Sequence, residues 1–235
     1  MKIVVTAGPT REHLDPVRFL SNPSTGKMGF AVAAEAARRG HDVTLIAGPV
    51  ALKTPPGVRR VDVVSAREML EKSLESLKHP NIQTVFVSTA AVADWRPATC
   101  AAQKLKKHEM SSTLKLVRNP DILKTISQLS KHQNLLLVGF AAETNDVLAE
   151  AARKCREKGL AFIVANDVTE AGSGFGTATD RVTFVYPDGR QEKFPLMTKR
   201  RVAAALVRTV ERLSAEGGGD FVRSRPSRGQ SRRDP

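Results

Sequence analysis

Short apolar runs alternate with amphipathic, helix-patterned segments along most of the chain. The apolar runs occupy residues 2–5, 43–46, 60–64, 84–87, 113–117, 135–140 and 160–165, and the helical patterns occupy residues 26–39, 65–78, 119–131, 147–158 and 198–213. Such alternation predicts parallel strands joined by helices, and continuous apolar runs are typical of strands buried on both faces. Near the end, the turn Pro187-Asp188-Gly189 lies between two strand-like runs and predicts a β-hairpin. We therefore expect an α/β fold with a doubly wound, mainly parallel sheet, helices on both faces and a C-terminal β-hairpin.

Several residues mark the expected helix ends. Ser65 and Glu68 match a capping box, in which each side chain bonds the backbone N–H of the other residue. Asn119 is expected to cap the next helix, with Pro120 as its first residue. Gly40 stands where a glycine commonly ends a helix.

Length and composition favour one domain, residues 1–213, followed by a basic tail, residues 214–235, which we expect to be disordered. The chain of 235 residues has 37 Lys and Arg against 24 Asp and Glu, a net charge of +13. This excess is compatible with polyanionic partners such as nucleoside triphosphates or nucleic acid.

Other sequence features favour a cytoplasmic protein. No apolar run approaches the roughly 18–20 residues that a membrane-spanning helix needs. A strand pattern follows Met1-Lys2 directly, so we expect no signal peptide. Cys100 and Cys155 have no metal-binding or redox spacing, which favours a reducing compartment.

The connection between the first strand and the first helix, residues 6–29, is unusually long. Connections of this kind commonly have about 2–6 residues, and longer ones are often functional. The connection ends on Ser24, Thr25, Gly26 and Lys27 at the start of a helix, where free N–H groups and the helix dipole favour an anion. Neither a dinucleotide-binding G-x-G-x-x-G nor a P-loop pattern occurs here. The alternative is that Ser24 or Thr25 simply caps the helix.

Further polar stretches follow the other predicted strands. They are residues 90–95, the lysine cluster 104–107, residues 119–122 and residues 139–144. The carboxyl ends of parallel strands share one edge of a sheet, and ligands bind there at the switch point. Each stretch also has a simpler interpretation, since Asp94 alone fits a turn and loop lysines are commonly only solvated. Together they predict an enzyme that binds a nucleotide or another phosphate-bearing ligand.

Seven motifs stand in the order found in one known family. They are 6–12 with 15–18, 21–29, 90–95, 104–107, 119–123, 139–144 and 165–168. In this combination the chain resembles phosphopantothenoylcysteine synthetase, the phosphopantothenate–cysteine ligase family, over about residues 2–212. The resemblance implies a Rossmann-like ligase domain in residues 1–213. In many bacteria this ligase is joined to a flavin-dependent decarboxylase half. Because Met1 directly precedes the first strand pattern here, we expect either a free-standing bacterial-type ligase domain that lacks this half or a truncated chain.

The resemblance implies a reaction in coenzyme A biosynthesis. The ligase would join 4′-phosphopantothenate to L-cysteine through an acyl-cytidylate, giving 4′-phosphopantothenoylcysteine, CMP and pyrophosphate. CTP would be the co-substrate and Mg²⁺ the metal ion, although ATP replaces CTP in the eukaryotic type. A homodimer is also implied, with the hairpin region as a contact, and neither membrane nor nucleic acid is an expected partner.

The resemblance also implies roles for individual residues. Asn22 would contact the acyl-nucleotide and assist its conversion, Arg18 would support that loop, and Lys104 would stabilise charge on the phosphates. The nucleotide site would comprise Ala90, Asp94, Lys104, Pro120, Asp121, Ile122, Leu123, Phe140, Lys154 and Lys158. No metal ligand is implied. Gln103 stands where the family usually has Glu, and Trp95 where it often has Tyr.

Two alternatives remain open at this point. One is a nucleotide-binding or NAD(P)-linked oxidoreductase-like paralogue on the same sheet. The other is a basic nucleic-acid-binding module. The second is disfavoured because the basic residues are spread along the chain and one Trp and one Tyr provide little surface for base stacking.

Overall fold

The computed structural model describes residues 1–78, 82–107, 112–129, 134–143, 146–167, 169–170, 172–174 and 176–216. Its centre is an eight-stranded sheet. The strands are β1 (Lys2–Ala7), β4 (Asp42–Ala47), β5 (Val58–Asp62), β6 (Thr84–Ser88), β9 (Leu135–Glu143), β10 (Phe162–Asp167), β12 (Thr183–Val185) and β13 (Gln191–Lys193). Their order across the sheet is β13-β12-β10-β9-β6-β1-β4-β5.

The sheet confirms the predicted doubly wound topology. The six strands from β10 to β5 are parallel, and β12 and β13 extend the edge as an antiparallel hairpin. From the central strand β1, the chain runs outward through β4 and β5 on one side and through β6, β9 and β10 on the other. The direction of winding therefore reverses between β1 and β6, and the carboxyl ends of these two strands define the switch point.

Five helices in the described part of the chain cover both faces of the sheet. They are α1 (Lys27–Arg38), α2 (Ala66–Ser76), α3 (Ile122–Leu129), α4 (Val147–Glu157) and α5 (Lys199–Glu216). One apolar core, which includes Val5, Phe30 and Leu206, joins α1 and α5 to one face. A second core, which includes Met69 and Ile126, joins α2, α3 and α4 to the other. Alternate residues of the buried strands, such as Val4 and Val5 of β1, enter opposite cores, as the period of a strand requires.

Among the residues that the structure describes, three short two-stranded sheets lie outside the central sheet, and the sequence patterns did not predict them. They pair β2 (Arg11–His13) with β3 (Phe19–Ser21), β7 (Trp95–Pro97) with β8 (Leu116–Arg118), and β11 (Thr179–Asp180) with β14 (Met197–Thr198). The prediction of a strand over 113–117 is wrong in extent, since β8 begins at Leu116. The alternating pattern there belongs to the β7–β8 pair, whose residues are mostly exposed. We call the β2–β3 and β7–β8 pairs the side hairpins.

The predicted helix caps have mixed outcomes. Ser65 caps α2 as expected, because its side chain accepts from the Glu68 N–H at 3.2 Å. The assignment of Asn119 and Pro120 to the start of α3 is wrong. Asp121 Oδ1 accepts from the Lys124 N–H at 2.9 Å, while the Asn119 amide donates to the Ala93 carbonyl at 2.8 Å.

The C-terminal helix extends beyond the predicted boundary of the domain. It continues to Glu216, whereas the sequence placed the domain end at residue 213. The remainder of the predicted tail, residues 217–235, lies outside the described residues. None of the helices in the described part is long and apolar enough to cross a membrane.

Candidate active site

An open cleft lies at the carboxyl edge of the sheet. It encloses about 480 Å³, part of which is continuous with solvent. Its walls come from the first turn of α1, from residues that follow β6 and β10, from β9, and from the segment that leads into α5. The lining residues are Ser24, Thr25, Gly26, Lys27, Met28, Gly29, Thr89, Phe140, Asn166, Gly174, Gly176, Asp180 and Lys199.

The first turn of α1 opens into this cleft without a side-chain cap. The N-cap residue is Gly26, with φ of 77°, a conformation that L side chains rarely adopt. The Ser24 hydroxyl accepts from the Gly26 N–H at 3.4 Å and does not cap the helix. The alternative that Ser24 or Thr25 caps α1 is therefore wrong. The helix also has no acidic residue in its first turn, so its N–H groups and dipole favour an anion.

Gly29 allows α1 to begin directly at the switch point. A Cβ atom at this position would lie 2.4 Å from Thr89 Oγ1 and 2.5 Å from the Ala7 Cβ. Glycine is thus required for the close approach of the helix to the ends of β1 and β6. This packing fixes the free N–H groups of α1 at the point where ligands bind in open α/β sheets.

The cleft wall also contains a buried charged cluster. Lys199 Nζ donates to the Gly174 carbonyl at 2.8 Å and lies 3.2 Å from Asp180 Oδ2. Asp180 Oδ1 accepts from the Asn166 amide at 3.1 Å and from the Gly174 N–H at 3.3 Å. Sequence reasoning missed both Asp180 and Lys199, because neither lies in a polar stretch directly after a strand of the central sheet.

Asp15 joins the first loop to the lysine cluster. Its carboxylate is fully buried, and Oδ1 accepts from the N–H groups of Val17 and Arg18 at 2.8 Å. Oδ2 lies 2.7 Å from the Arg18 guanidinium and 3.2 Å from the Leu105 N–H. The Arg18 guanidinium also donates to the Leu105 carbonyl. Arg18 and the backbone beside Lys104 are thus held by one carboxylate.

The hydrogen bonds to Asp15 make stability depend on pH. Burial raises the pKa of this carboxyl, but the N–H groups of Val17, Arg18 and Leu105 and the Arg18 guanidinium outweigh it, so the pKa lies well below its ordinary value. The stabilisation is fully present above the unfolded-state pKa of about 4 and is lost as the pH falls through the lower folded-state value.

We expect Asp15→Asn to lower the thermal unfolding midpoint at pH 7, because a neutral amide cannot replace the carboxylate beside Arg18. The difference from wild type should shrink as the pH falls below about 4, where the Asp15 carboxyl of the unfolded chain begins to be protonated while that of the folded protein remains charged. Thermal unfolding across this pH range measures the difference. Asp42→Asn, an exposed change at the start of β4, is the control. A difference that stays constant with pH would contradict the assignment to Asp15.

The structure brings Asn22 against the stretch that follows β6. The Asn22 amide nitrogen donates to the carbonyls of Ala91 and Val92 at 3.1 and 3.2 Å. Donation to two acceptors fixes the orientation of the amide, because its oxygen cannot donate. The same stretch contains Ala90, whose N–H lies 3.4 Å from Thr6 Oγ1 at the end of β1.

A second group of predicted residues meets beside α3. The Asp94 carbonyl accepts from the Asn119 N–H at 2.8 Å. Asp121 forms a 2.8 Å ion pair with Lys158 just after α4. Burial raises the pKa of Asp121, but hydrogen bonds from Lys158 and the Lys124 N–H, together with their charges, lower it overall. Direct contacts therefore join two of the motifs, 90–95 and 119–123, to Lys158, and Asp94, Pro120, Asp121 and Lys158 form one ridge.

The remaining predicted residues occupy different environments. Phe140 lines the cleft, whereas the side chains of Ile122 and Leu123 belong to the apolar core. Pro120 and Lys154 are half-buried, and the Lys104 side chain is exposed. Of the nucleotide-site residues predicted from the sequence, only Phe140 is among the residues that line the cleft.

Within the described residues, no group of three or more His, Cys, Asp or Glu side chains is arranged to hold a metal ion. Mg²⁺ in nucleotide-dependent enzymes is commonly bound by one or two carboxylates together with substrate phosphates.

The doubly wound sheet and the uncapped helix end at its switch point define a Rossmann-like α/β domain with a ligand cleft suited to anions. More particularly, residues 1–213 match the family model described as the DNA/pantothenate metabolism flavoprotein C-terminal domain, and the chain belongs to this family.

Relatives and a solved structure agree with this assignment. The Coenzyme A biosynthesis bifunctional protein CoaBC of Escherichia coli (strain K12) is 47% identical over 210 residues, covering 88% of this chain and 50% of the relative. The protein of that name from Vibrio vulnificus (strain YJ016) is 44% identical over 213 residues, covering 90% and 52%. A crystal structure of the C-terminal domain of CoaBC has 40% identity and a TM-score of 0.76, covering 92% of this chain and 96% of that chain. This chain thus spans about half the length of the curated relatives it matches.

Proposed function

We propose that this chain is a phosphopantothenate–cysteine ligase of coenzyme A biosynthesis. The carboxylate oxygen of 4′-phosphopantothenate attacks the α-phosphorus of CTP, and the bond to the departing pyrophosphate breaks. The amine nitrogen of cysteine then attacks the acyl carbon of the acyl-cytidylate. The bond to CMP breaks, the nitrogen loses a proton, and the amide of 4′-phosphopantothenoylcysteine remains.

One observation carries this proposal beyond the family assignment. The free N–H groups of α1 open at the switch point into a cleft that also contains Phe140 and Asn166. A phosphate bound at the helix end would receive several backbone hydrogen bonds and the favourable dipole. We assign this end of the cleft to the phosphate of 4′-phosphopantothenate.

We assign the nucleotide to the ridge beside the cleft. This ridge contains Asp94, Pro120, Asp121 and Lys158, and Lys154 lies one helical turn before Lys158. Because Ile122 and Leu123 are buried, we propose that they contribute backbone groups. Asn22, which contacts the Ala91 and Val92 carbonyls, lies at the loop we assign to the reacting acyl group.

Charge stabilisation is the main chemical requirement of the first step. The pantothenate carboxylate and the triphosphate repel each other, and cationic groups offset that repulsion. We assign Lys104 to the phosphates, with Asp15 and Arg18 as the residues that position its loop. We propose that Mg²⁺ enters with the triphosphate and that its chemistry, when bound, is to neutralise phosphate charge.

We also propose that the active form is a cytoplasmic homodimer. The strand β13 presents exposed polar residues, so the C-terminal hairpin lacks an apolar contact surface there. The side hairpins instead expose the large apolar side chains of Phe19, Trp95 and Leu116. We therefore reassign the dimer contact from the C-terminal hairpin to these side hairpins.

Turnover with each of the four nucleoside triphosphates tests the proposed function. We expect CTP to support pyrophosphate release only when 4′-phosphopantothenate is present, and amide formation only when L-cysteine is added. Preference for ATP would overturn the choice of nucleotide while preserving the ligase. Absence of amide product with all four nucleotides would overturn the ligase and favour the oxidoreductase-like alternative.

A further inference from the structure

The cleft contains a buried ammonium group that the proposed mechanism has not used. The Lys199 side chain is only 10% exposed, and that of its ion-pair partner Asp180 is only 5% exposed. Both residues line the same cleft as the free first turn of α1. A cation in this position attracts an anionic ligand, and the paired Asp180 carboxylate offsets part of that attraction.

Stability of the fold does not explain why a lysine occupies this position. Lys199 is the first residue of α5, and the positive end of a helix dipole disfavours a cation. A buried ion pair is often no more stabilising than well-packed apolar side chains of similar volume. A binding role accounts for a charge that the fold itself does not need.

The neighbouring contacts hold Lys199 in a fixed orientation and leave one of its donors available. An ammonium group has three N–H donors. Gly174 O and Asp180 Oδ2 take two of them, and the described residues provide no third acceptor for Lys199. Asp180 is itself fixed by the Asn166 amide and the Gly174 N–H. The cluster is therefore preorganised before any ligand arrives.

We propose that Lys199 is a substrate-binding residue that donates its remaining N–H to the phosphate of the substrate bound at the start of α1. Asp180 is a positioning residue, because its Oδ2 fixes the ammonium group, and Asn166 in turn fixes Asp180 through Oδ1. This inference rests on the proposed function, which supplies a phosphate-bearing substrate, and it adds a charged donor to the backbone N–H groups of α1.

Lys199→Met tests this role through the phosphate of the ligand. We expect the dissociation constant for 4′-phosphopantothenate to rise about tenfold or more, as for the loss of a hydrogen bond to a charged group. The affinity for pantothenate, which lacks the phosphate, should change by less than about twofold, because the lost interaction is absent there. Calorimetry measures the first ligand, and competition against it measures the second.

The control is Lys193→Met, which removes an exposed lysine from β13. It should bind both ligands as the wild type does. Should Lys199→Met fail to fold, Lys199→Gln, which retains a donor for the Gly174 carbonyl, should show the same phosphate-selective loss. Equal weakening of both ligands, or no weakening, would overturn the inference. Failure of the wild type to form the amide would instead overturn the proposed ligase.

Discussion

Lys104→Gln is expected to abolish measurable turnover, reducing CTP-dependent pyrophosphate release by about 10²–10³-fold, the range found when one preorganised electrostatic donor is removed from an active site. Glutamine keeps a polar group of similar length but loses the charge that offsets repulsion between the carboxylate and the triphosphate. Pyrophosphate release with 4′-phosphopantothenate and CTP, without cysteine, measures the first step alone.

The control is Lys78→Gln, which changes an exposed lysine two residues beyond the end of α2. It should leave pyrophosphate release unchanged. Normal release by Lys104→Gln would contradict the assignment of this residue to the phosphates.

The exposed position of Lys104 makes the size of this effect informative. An exposed lysine in a surface ion pair contributes about 0–1 kcal/mol, since water screens its charge. A loss of about 10²-fold or more therefore requires that Lys104 is removed from water when the substrates bind. The buried Asp15 carboxylate bonds the Leu105 N–H and holds Arg18, so the backbone beside Lys104 is already fixed while its side chain stays free to approach a ligand.

The central sheet could be predicted because its signals are local. Each buried parallel strand is a continuous apolar run, and each covering helix repeats its apolar residues at helical spacing. The small two-stranded sheets, β2–β3, β7–β8 and β11–β14, contain strands of two or three residues, too short for such a period. Their pairing depends on distant contacts, as when Trp95 meets Arg118 across the β7–β8 pair.

The candidate site could be predicted only where polar residues directly follow central strands. Asp94 lies in the stretch directly after β6, and Asn22 lies in the long connection after β1, whereas Phe140 lies within β9, which continues past the predicted strand end at residue 140 to Glu143. Asp180 and Lys199 are separated by a hairpin along the chain and meet only through the β11–β14 pair. A tertiary contact also decided the cap of α3. Asn119 and Asp121 are both suitable cap residues. The Asn119 side chain instead bonds the Ala93 carbonyl, and Asp121 caps the helix.

We expect Asn22→Ala to separate the two half-reactions. The acyl-cytidylate should still form, because its formation depends on Lys104 and the nucleotide site. Its conversion to the amide should slow by about 10- to 100-fold, which corresponds to losing a hydrogen bond to a charged or strongly polarised group. Asn22 holds its loop against the Ala91 and Val92 carbonyls, and its amide oxygen remains available as an acceptor.

Rapid quenching of a reaction with labelled CTP measures this separation. The variant should show a burst of about one pyrophosphate per active site, followed by slow release, as expected when an acyl intermediate accumulates. Ser21→Ala is the matched control, because it removes a neighbouring 2.7 Å hydrogen bond to the Thr10 carbonyl without changing the contacts to residues 91 and 92. Unchanged steady-state turnover in Asn22→Ala would contradict a role in the second step. Loss of the burst would assign Asn22 to the first step, since the acyl-cytidylate must form before cysteine can attack its acyl carbon.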